Sequence, residues 1–316
     1  MAIRERLSKA FNEKNAVQRF LARKYLFSLF QWAGIHITGD HFYEIIPNTN
    51  RVAREYLEEA RQLHGIDLRF EQCEARGLGL LTTYGSEFTE WSAKFGFREK
   101  NWYFRGMDAL FLYCVLRELK PAKMVEIGQG FSTRIALAAL ERNALETGMS
   151  PLLVSVDPYP RITTMDVPAS MSLELVRQAA QRLELPPLLR DCGFLFVDSS
   201  HVYKFGSDVA FEFTDIYPRL PTNTLFHVHD IFSPYEYPKE WIVKDKLFWN
   251  EQYFLECFLM FNAEFEINLP VHLLARKSEK IMGTIRKLAL DPDFQFWGSS
   301  FYLMRRAAPA LSKDAS

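Results

Sequence analysis

The sequence predicts an α/β fold built around a doubly wound sheet with helices on both faces. Two observations lead to this class. The segment Met124–Thr133 (MVEIGQGFST) joins an apolar run to a glycine-rich turn and a helix-compatible stretch, which is typical of the first unit of doubly wound folds. Four apolar runs also carry an acid at or near the carboxyl end, and open α/β sheets bind ligands outside those ends.

The first predicted strand reaches the acid Glu126 and turns through Gly128 and Gly130 into a helix that begins near Ser132. Glycine allows backbone torsions that a Cβ would forbid and lets the backbone approach a ligand closely. A dinucleotide fingerprint would place a third glycine at Ser132, and a phosphate-binding loop would end in Gly-Lys-Ser/Thr. The turn therefore serves another cofactor or is a tight turn without a ligand.

Further apolar runs read as strands of the same sheet. In chain order they are Leu152–Val156 before Asp157, Phe194–Val197 before Asp198, Thr224–Val228 before His229 and Asp230, and then Phe265–Leu269 and Ser299–Arg305. In doubly wound folds an acid at the tip of the second strand accepts hydrogen bonds from ribose hydroxyls, which predicts that role for Asp157.

Composition narrows the function classes. The chain has 316 residues and a net charge of −1, so it lacks the global basic excess that would indicate nucleic acid as a partner. Its four cysteines are far apart and form no metal-type pair, which favours reduced thiols and a cytoplasmic location. No apolar run is long enough to cross a bilayer, and the first residues lack the apolar core of a signal peptide.

The N-terminal part differs in character from the rest of the chain. Residues 1–24 hold seven Lys/Arg against two Glu, and an apolar, aromatic run follows to residue 37. Residues 1–37 could make weak peripheral contact with an anionic membrane, or they could pack on the main domain, which Gly34 and Gly39 favour by interrupting the run. We predict a helical cap over residues 1–100, a catalytic domain over 101–306 and a flexible tail over 307–316.

Chemistry-bearing residues are concentrated after two of the predicted strands. One segment is DSSHVYKFGSD, from Asp198 to Asp208, and the other is LPTNTLFHVHDIF, from Leu220 to Phe232. Together with Glu-x-Gly-x-Gly they resemble the class I S-adenosylmethionine-dependent methyltransferases of the methyltransferase-24 type, over about residues 35–305. Ser132 departs from the commoner third glycine of that family.

The resemblance implies a Rossmann-like, seven-stranded, mostly parallel sheet with one antiparallel strand, and S-adenosylmethionine as the cofactor. It implies that the cofactor binds at the glycine turn and at the strand ends, through Glu126, Gly128, Gly130, Ser132, Asp157 and Asp198. It also implies methyl transfer to a small-molecule acceptor, most simply a hydroxyl of a sugar or a secondary metabolite. An oligomer is compatible with the abundant aromatic residues.

Three residues are candidates for catalysis. A histidine has a pKa near neutrality and suits deprotonation of an acceptor hydroxyl, so His201 or His229 is the expected base, with Asp230 or Asp198 orienting the ring. Asp198 and Asp230 could also hold a divalent metal such as Mg²⁺. Two alternatives remain: a metal-dependent oxygenase or hydroxylase that uses His201, His229 and Asp230, and a non-catalytic protein that binds the cofactor.

Overall fold

The computed structural model describes residues 27–36, 45–95, 103–160 and 167–307. Contacts between residues divide the chain into two units. One contains the residues up to Tyr56 together with Lys239–Phe248, and the other contains Leu57–Pro238 and the chain from Trp249 onward.

The described residues of the larger unit form a seven-stranded sheet. Its strands are β1 (Lys123–Ile127), β2 (Leu152–Val156), β3 (Ser172–Val176), β4 (Phe194–Val197), β5 (Leu225–Val228), β6 (Phe265–Pro270) and β7 (Phe301–Arg305). The order across the sheet is β3-β2-β1-β4-β5-β7-β6. All neighbours are parallel except β7, which is antiparallel to both β5 and β6.

The strand order reverses between the neighbouring strands β1 and β4. Chain connections from β1 lead to β2 on one side, whereas β4 and β5 extend the sheet on the other. A crevice opens outside the carboxyl ends of the strands at such a switch point. The predicted doubly wound, mostly parallel sheet with one antiparallel strand is confirmed.

Helices cover the sheet and form the smaller unit. In chain order they are α1 (Phe27–Trp32), α2 (Thr49–Glu55), α3 (Phe70–Phe95), α4 (Gly106–Leu119), α5 (Phe131–Thr147), α6 (Leu185–Leu189), α7 (Asp208–Phe211), α8 (Lys239–Val243), α9 (Glu251–Leu259), α10 (Val271–Lys277) and α11 (Glu279–Ile285). A short π-helical stretch, Glu212–Ile216, follows α7.

The central strands are mostly apolar because they are covered on both faces. In β4 and β5 every residue is buried. The edge strand β3 (SLELV) is only partly buried, and its alternating polar residues are typical of an exposed sheet edge. For this reason β3 was not among the strands predicted from apolar runs in the sequence.

The helix α3 packs in the same unit as the sheet, although it precedes residue 100. Arg117 of α4 is buried and forms ion pairs with Glu87 of α3 and, at 2.8 Å, with Glu146 of α5. The ring of Tyr113 packs against Phe88 and donates a hydrogen bond from its hydroxyl to Glu87. These contacts join α3 to α4 and α5 within the larger unit. The expected domain boundary at residue 100 stays a prediction.

The smaller unit contains α1, α2 and α8 within its described residues. Asn48 begins α2 by accepting hydrogen bonds from the backbone N–H groups of Asn50 and Arg51, and Lys246 donates to the hydroxyl of Thr49. Of residues 1–37, for which membrane contact was considered, only 27–36 are described. No helix in the described ranges combines the length and apolar character needed to span a bilayer. Residues 308–316 of the expected tail also lie outside the described residues.

Candidate functional site

The turn after β1 is held against the ends of two neighbouring strands. Gly128 has a φ of +89°, and a Cβ built on it would overlap the carbonyl oxygen of Asp198. Its N–H donates to the carbonyl of Val156, and the N–H of Asp198 donates to that of Ile127, both at 2.9 Å. Only glycine fits this position, because it needs both the left-handed torsion and the close backbone approach.

Glu126 lies beneath this turn with its carboxylate fully buried. It accepts hydrogen bonds, each of 2.7 Å, from the hydroxyls of Ser132, Thr133 and Ser155. Burial raises the pKa of Glu126 to about 7, and the three hydroxyls oppose this shift. Both side chains lie inside the turn, where the hydroxyl of Ser132 donates to Glu126 and helps to fix the shape of the turn. The expected contact of Glu126 and Ser132 with the cofactor stays a prediction.

Asp157 follows β2 at the same edge. Its two carboxylate oxygens accept hydrogen bonds from the backbone N–H groups of Gln129, at 3.0 Å, and Tyr159, at 2.6 Å. The residue is half-buried. A carboxylate has about four lone-pair positions, so Asp157 ties down the glycine turn and keeps acceptor capacity for a further partner.

Asp198, His201 and Asp230 come together beyond the ends of β4 and β5. The Nε2 atom of His201 lies 3.2 Å from Oδ1 of Asp198 and 3.5 Å from Oδ2 of Asp230. One ligand atom from each residue lies within 4.8 Å of the other two. The side chain of Asp198 is 31% exposed, whereas that of His201 is 7% exposed. The cluster therefore opens to solvent on the side of Asp198.

Charge and backbone torsion both mark this cluster as a specialised site. Burial opposes protonation of His201, but hydrogen bonds to Asp198 and Glu251 outweigh it and raise the pKa of His201 well above its ordinary value. Two of the residues have positive φ angles, +59° at His201 and +55° at Asp230. Such torsions are costly for residues with a Cβ, and they recur at functional sites.

The two histidines of the segment HVHD, His227 and His229, are enclosed. The ring of His227 stacks on Phe196, with 4.2 Å between centroids, and its Nε2 lies 2.9 Å from the hydroxyl of Ser300. Burial lowers the pKa of His227, so it remains neutral. His229 packs against Phe104, its Nε2 lies 3.7 Å from Asp230, and its side chain is 4% exposed. Both rings line the wall behind the cluster.

Three supporting residues were missed by the sequence analysis. Ser299 donates from its hydroxyl to Asp230 at 2.8 Å. Asp108, in the first turn of α4, accepts hydrogen bonds from the backbone N–H groups of Ser299 and Ser300. Glu251, the first residue of α9, places Oε2 2.9 Å from Nδ1 of His201. These residues lie far from the cluster in sequence and belong to no motif, so only the fold brings them to it.

A family model described as a methyltransferase domain matches residues 125–231. The matched segment runs from β1 to just beyond Asp230 and so includes the glycine turn and the whole cluster. Over this segment the chain is similar to that methyltransferase family.

Other proteins resemble parts of the chain. A protein of Archaeoglobus fulgidus, described as uncharacterized, is 33% identical over 107 residues, which are 31% of this chain and 48% of that protein. The chain thus matches about half the length of this relative. Among solved structures, a Podospora anserina methyltransferase bound to S-adenosylhomocysteine is 13% identical, with a TM-score of 0.36 over 86% of this chain and 100% of that one.

A Bacillus cereus O-methyltransferase in complex with S-adenosylhomocysteine is 12% identical, with a TM-score of 0.35 over 75% of this chain and 99% of that one. Both TM-scores are below 0.5.

The two glycines of the turn give a matched pair of variants. We expect Gly128→Ala to lower the melting temperature clearly, because its Cβ would overlap the Asp198 carbonyl and its φ is positive. A Cβ at Gly130 would meet no atom within 4 Å, so we expect Gly130→Ala to melt close to the wild type. Differential scanning calorimetry of the two variants checks this, and equal melting temperatures would contradict the described turn.

Proposed function

We propose that the protein is an S-adenosylmethionine-dependent methyltransferase that transfers the methyl group to a hydroxyl of a small molecule. The observation that carries the proposal is the position of Asp157 and Asp198 on either side of the glycine turn, at the switch point of the sheet. The match of residues 125–231 to a methyltransferase family model supports the same assignment.

The residues at this edge fit the cofactor. Gly130 has open space where a side chain would stand, so a ligand can approach the backbone there. Asp157 keeps lone pairs for ribose hydroxyls, and Asp198 offers a partly exposed carboxylate near the site of reaction. When bound, S-adenosylmethionine supplies an electrophilic methyl group on a sulfonium. Gly128, Glu126 and Ser132 contribute by holding the turn in shape.

In this proposal His201 removes the proton from the acceptor hydroxyl. The proton moves to Nε2, and the carboxylates of Asp198 and Asp230 stabilise the imidazolium that forms. His229 is a weaker candidate because it is enclosed between aromatic rings. The raised pKa of His201 has a consequence for the enzyme: the ring is a free base only when the pH exceeds that raised pKa.

A divalent cation is a second possibility for the same cluster. Asp198, His201 and Asp230 offer two carboxylate oxygens and one imidazole nitrogen within reach of one position. The cation would balance the negative charge there and orient an acceptor oxygen. A nitrogen ligand shifts the preference from Mg²⁺ toward softer metals. With a cation bound, Nε2 of His201 would be a ligand, so its roles as ligand and as base exclude each other.

The oxygenase alternative receives less support. That alternative uses His201, His229 and Asp230 as metal ligands. Among the described residues, the side chains placed closely enough to hold a metal ion are instead Asp198, His201 and Asp230. The oxygenase alternative would also leave Asp157 and the glycine turn without a role. A non-catalytic cofactor-binding protein remains the other alternative. Cytoplasmic location and oligomer formation stay predictions from the sequence.

Calorimetric titration with S-adenosylmethionine and S-adenosylhomocysteine tests the proposed cofactor. We expect binding to the wild type and an affinity about 10- to 100-fold lower for Asp157→Ala, because two hydrogen bonds to a charged acceptor are lost. Asp245→Ala removes an exposed carboxylate and serves as the control with unchanged affinity. The absence of heat with the folded wild type would refute the cofactor assignment.

The pH dependence of methyl transfer tests His201. We expect His201→Asn to lower turnover at least about 10²-fold, while His64→Asn, at an exposed position, leaves it unchanged. Because the pKa of His201 is raised, wild-type turnover should increase with pH through a pKa above 6.5. The rates follow from transfer of a labelled methyl group to hydroxylated sugars and phenols.

Two outcomes of these rate measurements would count against the base assignment. Near-normal turnover of His201→Asn would remove it outright. Loss of wild-type activity after thorough chelation, restored by a divalent cation, would instead assign His201 to the metal site.

A further inference from the structure

Glu251 contacts the side of the His201 ring that faces away from the acids of the cluster. Its Oε2 lies 2.9 Å from Nδ1, while Nε2 faces Asp198 and Asp230. Burial raises the pKa of Glu251, and the hydrogen bond to His201 opposes this rise. With Glu251 ionised, its carboxylate can only accept a hydrogen bond, so Nδ1 donates. The ring is therefore held between carboxylates on both nitrogens, and only the Nε2 side lies next to the solvent-accessible Asp198.

The start of α9 and the two residues before it also hold the backbone of His201 in place. The carbonyl of His201 accepts hydrogen bonds from the N–H groups of Asn250, at 3.1 Å, and Glu251, at 3.3 Å. The side chain of Asn250 accepts from the N–H of Tyr203 at 2.6 Å, and the ring of Trp249 lies 4.4 Å from the His201 ring. Segment 249–251 thus fixes the loop in a conformation that includes the positive φ of His201.

Packing does not account for a carboxylate at this position. The Glu251 side chain is 1% exposed, and its Oε1 has no hydrogen-bond partner among the described residues. Another buried acid, Glu212, interacts unfavourably with it. Burying a carboxylate with one unpaired oxygen is costly, whereas an apolar side chain of similar volume would avoid that cost. The hydrogen bond to His201 is the contact that an apolar side chain could not make.

We propose that Glu251 is a positioning residue that commits Nδ1 of His201 to a proton and so presents Nε2 to Asp198 and Asp230. The inference rests on the proposed function, in which Nε2 of His201 takes the acceptor proton or binds a cation. The arrangement follows the general pattern in which a third group orients a catalytic base or a metal-ligating imidazole. Glu251 touches neither the cluster acids nor the exposed edge, so it acts through His201.

The test compares two substitutions of nearly equal volume. Glu251→Gln keeps an oxygen that can accept from Nδ1, and Glu251→Met does not. Glu256→Gln is the control, since Glu256 lies on the same helix but binds Arg61 and Ser233. The full-length protein, labelled with ¹⁵N-histidine, is examined by proton NMR at one neutral pH without cofactor. The His201 signal is assigned by its disappearance in His201→Asn.

We expect the wild type to show a slowly exchanging, downfield proton on Nδ1 of His201. In Glu251→Gln the proton signal should remain but lie less far downfield. It should vanish in Glu251→Met and stay unchanged in Glu256→Gln. In the transfer assay, Glu251→Met should lose on the order of 10- to 100-fold in kcat with an unchanged KM for the cofactor, and Glu251→Gln should recover part of it.

A folded Glu251→Met variant that keeps this proton signal would overturn the inference, as would a wild type that lacks the signal. If Glu251→Met does not fold, the shift in Glu251→Gln decides, because a role limited to packing would leave the signal in place. Failure of the proposed function has a different signature: the ring signal behaves as expected, but no cofactor binds.

Discussion

The close approach of Gly128 to the carbonyl of Asp198 is the contact on which the site depends. It brings the end of β1 against the end of β4, and the hydrogen bond from Gly128 to Val156 ties both to the end of β2. These contacts place Asp157 and Asp198 on either side of one turn. Glu126 stabilises the same turn from inside through three buried hydroxyls. Any larger residue at position 128 would separate the strand ends and with them the two acids.

A surplus of negative charge around one imidazole is the second feature of the site. Asp198, Asp230 and Glu251 all contact His201, and Glu212 is buried nearby. The carboxylates hold a proton on the ring, which raises the pKa of His201, and burial together with Glu251 and Asp208 raises that of Glu212. A site with this surplus of negative charge stabilises positively charged groups and ligands. Imidazolium, a bound cation and a sulfonium all meet that condition, which is why the two roles proposed for His201, base and metal ligand, exclude each other.

The sequence predicted the sheet well because buried parallel strands are apolar along their length. The strands from β1 to β5 were recognised from this pattern, apart from the edge strand β3, whose polar residues alternate. The acids at the strand ends were also recognised, since the topology of a doubly wound sheet brings all of them to one edge. The contacts by which Arg117 and Tyr113 join α3 to α4 and α5 could not be predicted from the sequence, because no local pattern indicates such long-range pairs.

Within the site, sequence patterns identified His201, Asp198 and Asp230 but not how each is held. Glu126 and Ser132 were expected at the cofactor from the family resemblance, and their hydrogen bond to each other inside the turn could be seen only in the structure. Asp108 and Glu251 could not be found from the sequence, since each reaches the cluster from a helix that is distant in the chain and carries no motif. Partners of this kind become visible only once the backbone has placed them.

The most direct test of the account is a crystal structure of the protein with S-adenosylhomocysteine at saturating concentration. We predict that the ligand lies across the glycine turn, with its ribose hydroxyls on Asp157 and its sulfur on the side of Asp198 and His201. A ligand bound elsewhere, or an empty edge in crystals soaked at saturation, would contradict the central claim that the contact of Gly128 with Asp198 builds a cofactor site.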